Sequence, residues 1–153
     1  MLFRSCGDAW QSGPVDLVST VRTGLEMRSH PLRRARVAAD LDAAGLVLVE
    51  ANRRALLQLV LNLLVVAERC LAGRDQARVR LTVDVEAGTP RLDVRCSVAG
   101  EAALPAGMSG LSDAHRRVIL HLTALLGGAV EGLESGETGT HVRVRLRPSV
   151  PPG

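Results

Sequence analysis

At the centre of the sequence lies Arg54-Ala-Leu-Leu-Gln-Leu-Val-Leu-Asn-Leu-Leu-Val-Val-Ala-Glu68, which is apolar almost all round. A helix of this composition belongs in a core, because a surface helix keeps one polar face. Its polar exceptions are Gln58 and Asn62, which are one helical turn apart and share a face. Their side chains either bond a neighbouring loop or face a ligand, and the pattern alone leaves both open. The stretch therefore predicts a buried helix that begins after Asn52 and ends at Gly73.

Helix-like and strand-like periods alternate on both sides of this central helix. The other predicted elements are a helix capped by Asp16, a strand hairpin at 36–41 and 46–49, a strand pair at 79–85 and 92–96 around a turn at 88–90, a helix at 113–126, and a strand pair at 130–133 and 142–146. This order predicts an α+β fold: a two-layer sandwich in which a mixed, mainly antiparallel sheet carries three helices on one face. We expect one domain at 14–147, a lead-in or linker at 1–13 and a tail at 148–153.

The composition excludes several classes of function. Lys is absent, so all 19 basic residues are Arg, and with 16 acidic residues the formal charge is +3. A Schiff-base or P-loop lysine is therefore excluded. The aromatic residues amount to Trp10 and Phe3, so the ring surfaces that stack nucleic-acid bases are missing and we expect no nucleic-acid partner.

Cysteine content and hydropathy indicate the compartment. The three cysteines form no C-x-x-C pair, which indicates neither a disulfide framework nor a zinc site built from thiolates. A reducing cytoplasm suits such a chain. The longest apolar run, 59–67, is interrupted by Asn62 and is too short to span a bilayer. We therefore expect a cytoplasmic protein without a membrane segment and without a bound metal.

The central helix resembles the Asn box of the ATP-binding domain of sensor histidine kinases. Its segment Gln58-Leu-Val-Leu-Asn-Leu-Leu-Val-Val-Ala67 is similar to the motif Q-V-L-x-N-L-L-x-N-A. Other segments follow in the order of that family: 92–100 lies where the first glycine box is expected, 120–128 resembles the helix that ends in Gly-Gly, and Gly136-Glu-Thr-Gly-Thr140 resembles the last box, G-x-G-T. The resemblance covers about 14–147 and implies the family's Bergerat-like α+β sandwich, in agreement with the fold class predicted above.

The resemblance also implies a nucleotide pocket, of which four residues remain. They are Asn62, Gly100, Gly139 and Thr140. In the family the second Asn of the Asn box holds Mg²⁺ and an Asp in the first glycine box accepts a hydrogen bond from adenine. The matching positions here are Val66, which has no oxygen for a hard cation, and Cys96, a poor acceptor.

Neighbouring residues do not restore this pocket. Asp93 is three residues from Cys96, so on a strand its side chain points to the opposite face. The loop over 99–112 contains no Arg to reach a γ-phosphate, and Asp113 places a carboxylate at the start of the next helix, where a phosphate would need bare backbone N–H groups. We identify no catalytic residue. As a cofactor we expect either none or ATP with weak or absent dependence on Mg²⁺.

Three hypotheses about function follow. The chain is a degenerate histidine-kinase-type domain that acts in two-component phosphosignalling mainly through protein contacts, with weak or no Mg-ATP binding. Alternatively, it is a functional ATP-binding catalytic domain of a sensor histidine kinase, which phosphorylates a His on a helical hairpin outside this chain. The third hypothesis is an unrelated α+β scaffold. Whether the chain is an enzyme is therefore open, and if it is active it is an ATP-dependent protein histidine kinase domain.

The first hypothesis predicts a phosphosignalling partner, either a helical-hairpin phosphotransfer domain or a response-regulator receiver. Receiver active sites are acidic, and the planar guanidinium of Arg pairs well with carboxylates. The candidate contact residues are Arg116 and Arg117, with Arg33, Arg34 and Arg36 as a second group. The alternative is that these arginines only solvate the surface.

Overall fold

A computed structural model describes residues 11–99, 113–131, 135–136 and 139–149. Within these ranges the chain forms four helices: α1 (Leu17–Met27), α2 (Ser29–Arg34), α3 (Arg53–Leu71) and α4 (Asp113–Leu125). The strands are β1 (Gly13–Asp16), β2 (Val37–Ala43), β3 (Leu48–Ala51), β4 (Ala77–Glu86), β5 (Thr89–Ser97), β6 (Ala129–Glu131), β7 (Ser135–Gly136) and β8 (Gly139–Arg145).

The strands form one large sheet and one small one. The large sheet has the order β2-β4-β5-β8-β6, with β7 also paired to β8, and the small sheet pairs β1 with β3. β2 runs parallel to β4, whereas the other pairs are antiparallel. Apolar side chains of β4, β5 and β8 share one hydrophobic core with those of α1, α3 and α4. The predicted fold class, a mixed and mainly antiparallel sheet with helices packed on one face, is confirmed; the short helix α2 was not predicted.

The predicted hairpin at 36–41 and 46–49 is wrong. Both segments contain strands, but β2 joins the large sheet beside β4 and β3 pairs with β1. The reason lies at the start of α1, where the backbone N–H of Leu17 donates to the carbonyl of Val47 at 2.8 Å. This bond holds the chain before β3 against α1 and away from β2. β2 instead reaches β4 through a crossover that includes α3, as parallel neighbours require.

The β4–β5 turn and the C-terminal segment also differ in detail from the prediction. The β4–β5 turn is Ala87-Gly88, with φ of +51° and +81°, whereas Pro90 already lies inside β5. Two central residues with positive φ are typical of a two-residue turn that follows the twist of the strands. Pro148, predicted to belong to the tail, forms an isolated bridge with Val49 of the small sheet.

The two long N-terminal helices begin where the sequence predicts. The Asp16 carboxylate accepts from the backbone N–H of Val18 at 3.1 Å, and the Asn52 side-chain oxygen accepts from that of Ala55 at 3.0 Å. Each bond satisfies an N–H that has no partner within its helix. The predicted caps are therefore confirmed, and they fix the starts of α1 and α3 beside each other.

The contact between α1 and α3 depends on a glycine. A Cβ added to Gly24 would lie 2.6 Å from Cγ1 of Val60 and 3.5 Å from Cδ1 of Leu64. The Val60 side chain is fully buried and β-branched, so its methyl group has little freedom to move away. The absence of a side chain at Gly24 thus sets how closely the two helices approach.

We predict that Gly24→Ala destabilises the protein although alanine favours helices. Overpacking of a core costs about 1–3 kcal/mol. The helix propensity gained by replacing glycine with alanine is about 1 kcal/mol, so the overpacking cost is the larger over most of its range. Gly13→Ala is the matched control, since nothing lies within 4 Å of a Cβ there. Urea unfolding measures both changes. The steric explanation is contradicted if Gly24→Ala is as stable as Gly13→Ala, or if adding Val60→Ala does not relieve the loss.

Candidate functional site

The predicted Asn-box residues lie on the same side of α3 but in different surroundings. Asn62 is half-buried, and its side-chain amide donates to the backbone carbonyl of Gln58 at 2.8 Å. Val66, one turn further on, is only 2% exposed and belongs to the hydrophobic core. The interpretation that this pair bonds a neighbouring loop is not supported for Asn62, whose amide bonds within its own helix.

Two residues of the predicted pocket are brought together by strand pairing. Cys96 on β5 lies directly opposite Thr140 on β8. Cys96 is buried, and burial raises the pKa of its thiol to about 12. The group at the position expected for an adenine acceptor is therefore an uncharged thiol near neutral pH. Gly139, next to Thr140, lies opposite Gly136 on β7.

Part of the predicted pocket lies outside the described residues. The residues outside the described ranges are Gly100 and the rest of the loop expected at 99–112 after its first residue. That first residue, Ala99, is described, and its backbone N–H donates to the carbonyl of Asp75. The described members of the pocket are therefore Asn62 on α3 and the strand positions Gly139 and Thr140.

The predicted contact residues Arg116 and Arg117 lie on α4 in different settings. Arg117 is exposed, whereas Arg116 is half-buried and its Nε is buried without a hydrogen-bond partner among the described residues. The same helix also exposes three large apolar side chains, which the sequence analysis did not single out: Val118, Leu120 and Leu125. α4 thus presents a surface of mixed apolar and cationic character.

The sequence analysis missed a buried charged cluster around Asp93. Asp93 is 6% exposed, and its Oδ1 lies 2.9 Å from His141 Nε2 and 2.8 Å from Arg143 Nε. The predicted orientation of Asp93, away from the face of Cys96, is confirmed by these partners. Only the β5–β8 register, in which Asp93 lies opposite Arg143, could have revealed the cluster.

The pKa of Asp93 reflects two opposing effects. Burial raises it, but hydrogen bonds and charge interactions with Arg143 and His141 outweigh burial, so the pKa lies below its usual value. The same hydrogen bond raises the pKa of Arg143. The cluster is therefore a stable ion pair near neutral pH, which suits a structural role better than proton transfer.

A cavity of about 310 Å³ lies beside the start of α1 and is lined in part by Asp16, Ser19, Thr20 and Arg53. Ser19 Oγ donates to the Asp16 carboxylate at 2.7 Å, and Thr20 Oγ1 donates to the Asp16 carbonyl at 2.9 Å. Since these polar groups are already engaged in capping α1, the cavity presents few groups to orient a ligand.

Two further properties concern metals and membranes. Among the described residues, no group of three or more His, Cys, Asp or Glu side chains is arranged to hold a metal ion. In the same part of the chain, no helix combines the length and the hydropathy needed to cross a bilayer.

Comparison with known proteins identifies the fold. No family model and no curated protein matches the sequence. Among solved structures, the chain is similar to the Acinetobacter baumannii histidine kinase AdeS (TM-score 0.72, 16% identity, 92% of this chain and 69% of that one). It is also similar to the catalytic domain of the histidine kinase ThkA (TM-score 0.69, 16% identity, 93% and 99%). A third is full-length ShkA in complex with AMPPNP (TM-score 0.69, 21% identity, 94% and 32%).

The chain therefore has the fold of the histidine-kinase catalytic domain, and the resemblance inferred from the sequence motifs is confirmed at the level of the fold. The similarity to the isolated ThkA domain extends over 99% of that domain, so it is not confined to one motif.

We predict that Asp93→Asn lowers stability near pH 7 by about 1–3 kcal/mol, because it weakens charge-assisted hydrogen bonds made in a buried position. Since folding lowers the pKa of Asp93, its contribution is present above the pKa of the unfolded chain, about 4, and is lost as pH falls through the folded pKa.

Urea unfolding between pH 7 and pH 2 tests this. The loss of stability below about pH 4 should be shallower in Asp93→Asn than in the original protein. Asp42→Asn is the control, since Asp42 is exposed and makes no ion pair with a described residue. Equal acid slopes for all three proteins would contradict the assigned role of Asp93.

Proposed function

We propose that the chain is a degenerate histidine-kinase-type domain that acts in two-component phosphosignalling mainly through protein contacts, with weak or no Mg-ATP binding. The observation that carries the proposal is the environment of Val66. At the position that the motif assigns to a Mg²⁺ ligand, the chain has an apolar side chain packed in the core. Mg²⁺ demands oxygen ligands in near-octahedral geometry, and Val66 supplies none.

Cys96, at the position expected for the adenine acceptor, supports the same proposal. A carboxylate at this position would accept from the adenine amino group, whereas a neutral thiol is a weak acceptor. The raised pKa of Cys96, about 12, keeps the thiol from becoming a thiolate near neutral pH. An adenine amino group placed here would lose its bond to water without gaining a good one in return.

One observation favours the alternative, a functional ATP-binding catalytic domain acting on a His outside this chain. Cys96 and Thr140, which the motifs assign to the same pocket, are direct neighbours across β5 and β8. Among the similar structures, ShkA was solved in complex with AMPPNP. A pocket that retains this arrangement could hold a nucleotide through backbone groups, with little help from a metal.

α4 is the surface that we propose for the partner. Arg117 is exposed beside the apolar side chains of Val118, Leu120 and Leu125, which are 40–45% exposed. Apolar side chains flanked by Arg are typical of protein interfaces, where Arg is enriched and its fork pairs with carboxylates. The proposed partner is a helical-hairpin phosphotransfer domain or a response-regulator receiver, whose active site is acidic.

We predict weak or absent binding of Mg-ATP to the purified chain. Two lost interactions at about 1–3 kcal/mol each weaken binding by roughly two to four powers of ten, at about 1.4 kcal/mol per decade. Calorimetric titration with an ATP analogue, with and without Mg²⁺, measures this. A micromolar dissociation constant that depends on Mg²⁺ would favour the alternative function.

The matching gain-of-function variant is Val66→Asn with Cys96→Asp, which restores both motif residues. It should tighten Mg-ATP binding, and the control Val66→Ala with Cys96→Ala, which adds no oxygen, should not. Because both positions are buried, the free energy of unfolding is measured in parallel. If the restored variant is folded and its binding is unchanged, the assignment of these two positions is wrong.

For the partner we predict a complex that weakens with salt, because contacts of Arg with carboxylates at an interface rim are screened. Affinity capture from lysate at low and high salt, with identification of receiver and hairpin proteins, tests the prediction. Arg116→Glu with Arg117→Glu should abolish capture. The control Arg22→Glu with Arg54→Glu makes the same charge change at exposed positions on α1 and α3 and should leave capture intact. Recovery of neither class of protein at low salt would contradict the proposed partner.

A further inference from the structure

The large sheet has a second face, which is covered with charged side chains and which we call the outer face. Along β4, β5 and β8 the residues alternate between the core and this face. Its members on these strands are Arg78, Arg80, Thr82, Asp84, Glu86, Arg91, Asp93, Arg95, Ser97, His141, Arg143 and Arg145, and on the two edge strands they include Asp40, Asp42 and Glu131. None of these residues belongs to the hydrophobic core cluster.

Most of the cations on the outer face have a carboxylate partner. Arg91 contacts Asp84 and Glu86, and Arg143 contacts the buried Asp93. Arg78 lies 3.4 Å from Asp40, and Arg145 lies 3.3 Å from Glu131. Pairing of this kind across strands stabilises a sheet, and it keeps the face close to neutral.

Arg80 and Arg95 are the exception. They lie directly opposite each other on β4 and β5, and Arg95 lies opposite His141 on β8. Both arginines are exposed, and neither makes an ion pair with any residue in the described ranges. Asp40 on β2 lies directly opposite Arg80, but its ion pair is with Arg78. Asp93, the nearest carboxylate to Arg95 on β5, is engaged with Arg143 and His141.

This arrangement is unfavourable for the isolated domain. Like charges directly opposite each other on a sheet are destabilising. A carboxylate at position 95 would form a cross-strand ion pair with Arg80, as Asp93 does with Arg143 across β5 and β8. The uncompensated pair is therefore explained if it meets negative charge from outside the chain.

The space next to the pair is suited to a ligand. A cavity of about 450 Å³ opens at the same end of the sheet, lined by residues that include Gln76, Arg78 and Ser97. Arg78 lies two residues before Arg80 on β4, and Ser97 lies two residues after Arg95 on β5. Both therefore lie on the same face of the sheet as the pair. An amide and a hydroxyl thus lie beside the cationic row, together with the guanidinium of Arg78, which is paired with Asp40.

We propose that Arg80 and Arg95, with His141 and the cavity beside Arg78, bind an acidic segment of a protein partner. The row crosses three neighbouring strands at about 4.8 Å each, so its three side chains are spread over about 10 Å. Several carboxylates along an extended segment match this spread, whereas one small anion meets only part of it. Each guanidinium offers a planar fork that binds a carboxylate through two parallel hydrogen bonds. The proposal rests on the outer face alone and is independent of ATP binding and of the α4 surface.

The first test is binding of a fluorescent oligoglutamate peptide to the full chain, measured by anisotropy at low ionic strength. Arg80→Glu with Arg95→Glu should weaken binding at least about tenfold, which corresponds to the loss of one charge-assisted hydrogen bond or more. Arg22→Glu with Arg54→Glu changes the net charge equally at exposed positions on α1 and α3 and should weaken binding less than about twofold. Equal weakening by both double variants would show non-specific attraction and overturn the proposal.

Inorganic phosphate distinguishes the class of ligand. Phosphate should compete with the peptide no better than sodium chloride at the same ionic strength, because it can bridge only part of the row. Displacement by phosphate well beyond the chloride effect would show that the site takes a small anion, and the proposal of a protein segment would then be wrong.

Thermal unfolding tests the premise independently of any ligand. Arg95→Glu alone places a carboxylate opposite Arg80 and opposite no other carboxylate, so it should raise the melting temperature by up to about 4 °C while weakening the peptide complex. The double variant keeps two like charges opposite each other and places a second carboxylate opposite Asp40, so it should melt no higher than the original protein. A melting temperature that is unchanged or lower in Arg95→Glu would contradict the premise that the pair is uncompensated.

Discussion

The structure depends on the burial of α3, ten of whose 19 residues are buried. Its buried side chains face α1 at Gly24, α4, and the apolar face of the sheet, so one helix joins both layers. Leu56, Leu59 and Leu64 are each 0% exposed, and burying a leucine side chain completely stabilises the fold by about 1.5–3 kcal/mol. The two N-terminal caps and the salt bridge from Arg28 to Glu68, at 2.6 Å, position the neighbouring elements around this helix.

The same burial explains why the motif positions differ from what a metal site needs. Residues four apart on a helix share a face, but Asn62 is half-buried whereas Val66 is packed in the core. An amide at position 66 would need a partner inside the core, and an unsatisfied buried amide costs about 1–3 kcal/mol. Val66 avoids this cost and contributes apolar surface instead. Cys96 likewise packs into the core as a small apolar group, with a pKa raised by burial.

The sequence predicted the helices and strands better than it predicted which strands pair with each other. Caps, periods and terminating glycines act within a few residues, so the starts of α1 and α3, the central helix and the alternating strands could be located from local pattern alone. Strand pairing depends on distant residues. The segments at 36–41 and 46–49 looked like a hairpin, but the bond between Leu17 and Val47, which no local pattern reveals, separates them. For the same reason the orientation of Asp93 was predictable from its spacing to Cys96, whereas its partners on β8 were not.

The two faces of the sheet are under different constraints, and this difference bears on where a function can lie. The inner face is occupied by the core and tolerates little change in volume or polarity. On the outer face the pairing of charges can change without disturbing the fold. The exception is the buried Asp93, whose contacts with His141 and Arg143 join β5 to β8. If the nucleotide pocket is degenerate, as we propose, this face and the exposed side of α4 are the surfaces with which the domain recognises other molecules. Arg80 and Arg95 form no ion pair with any described residue, whereas most neighbouring arginines on this face do, and one carboxylate at position 95 would stabilise the isolated domain. Their charge is thus better explained by recognition than by folding.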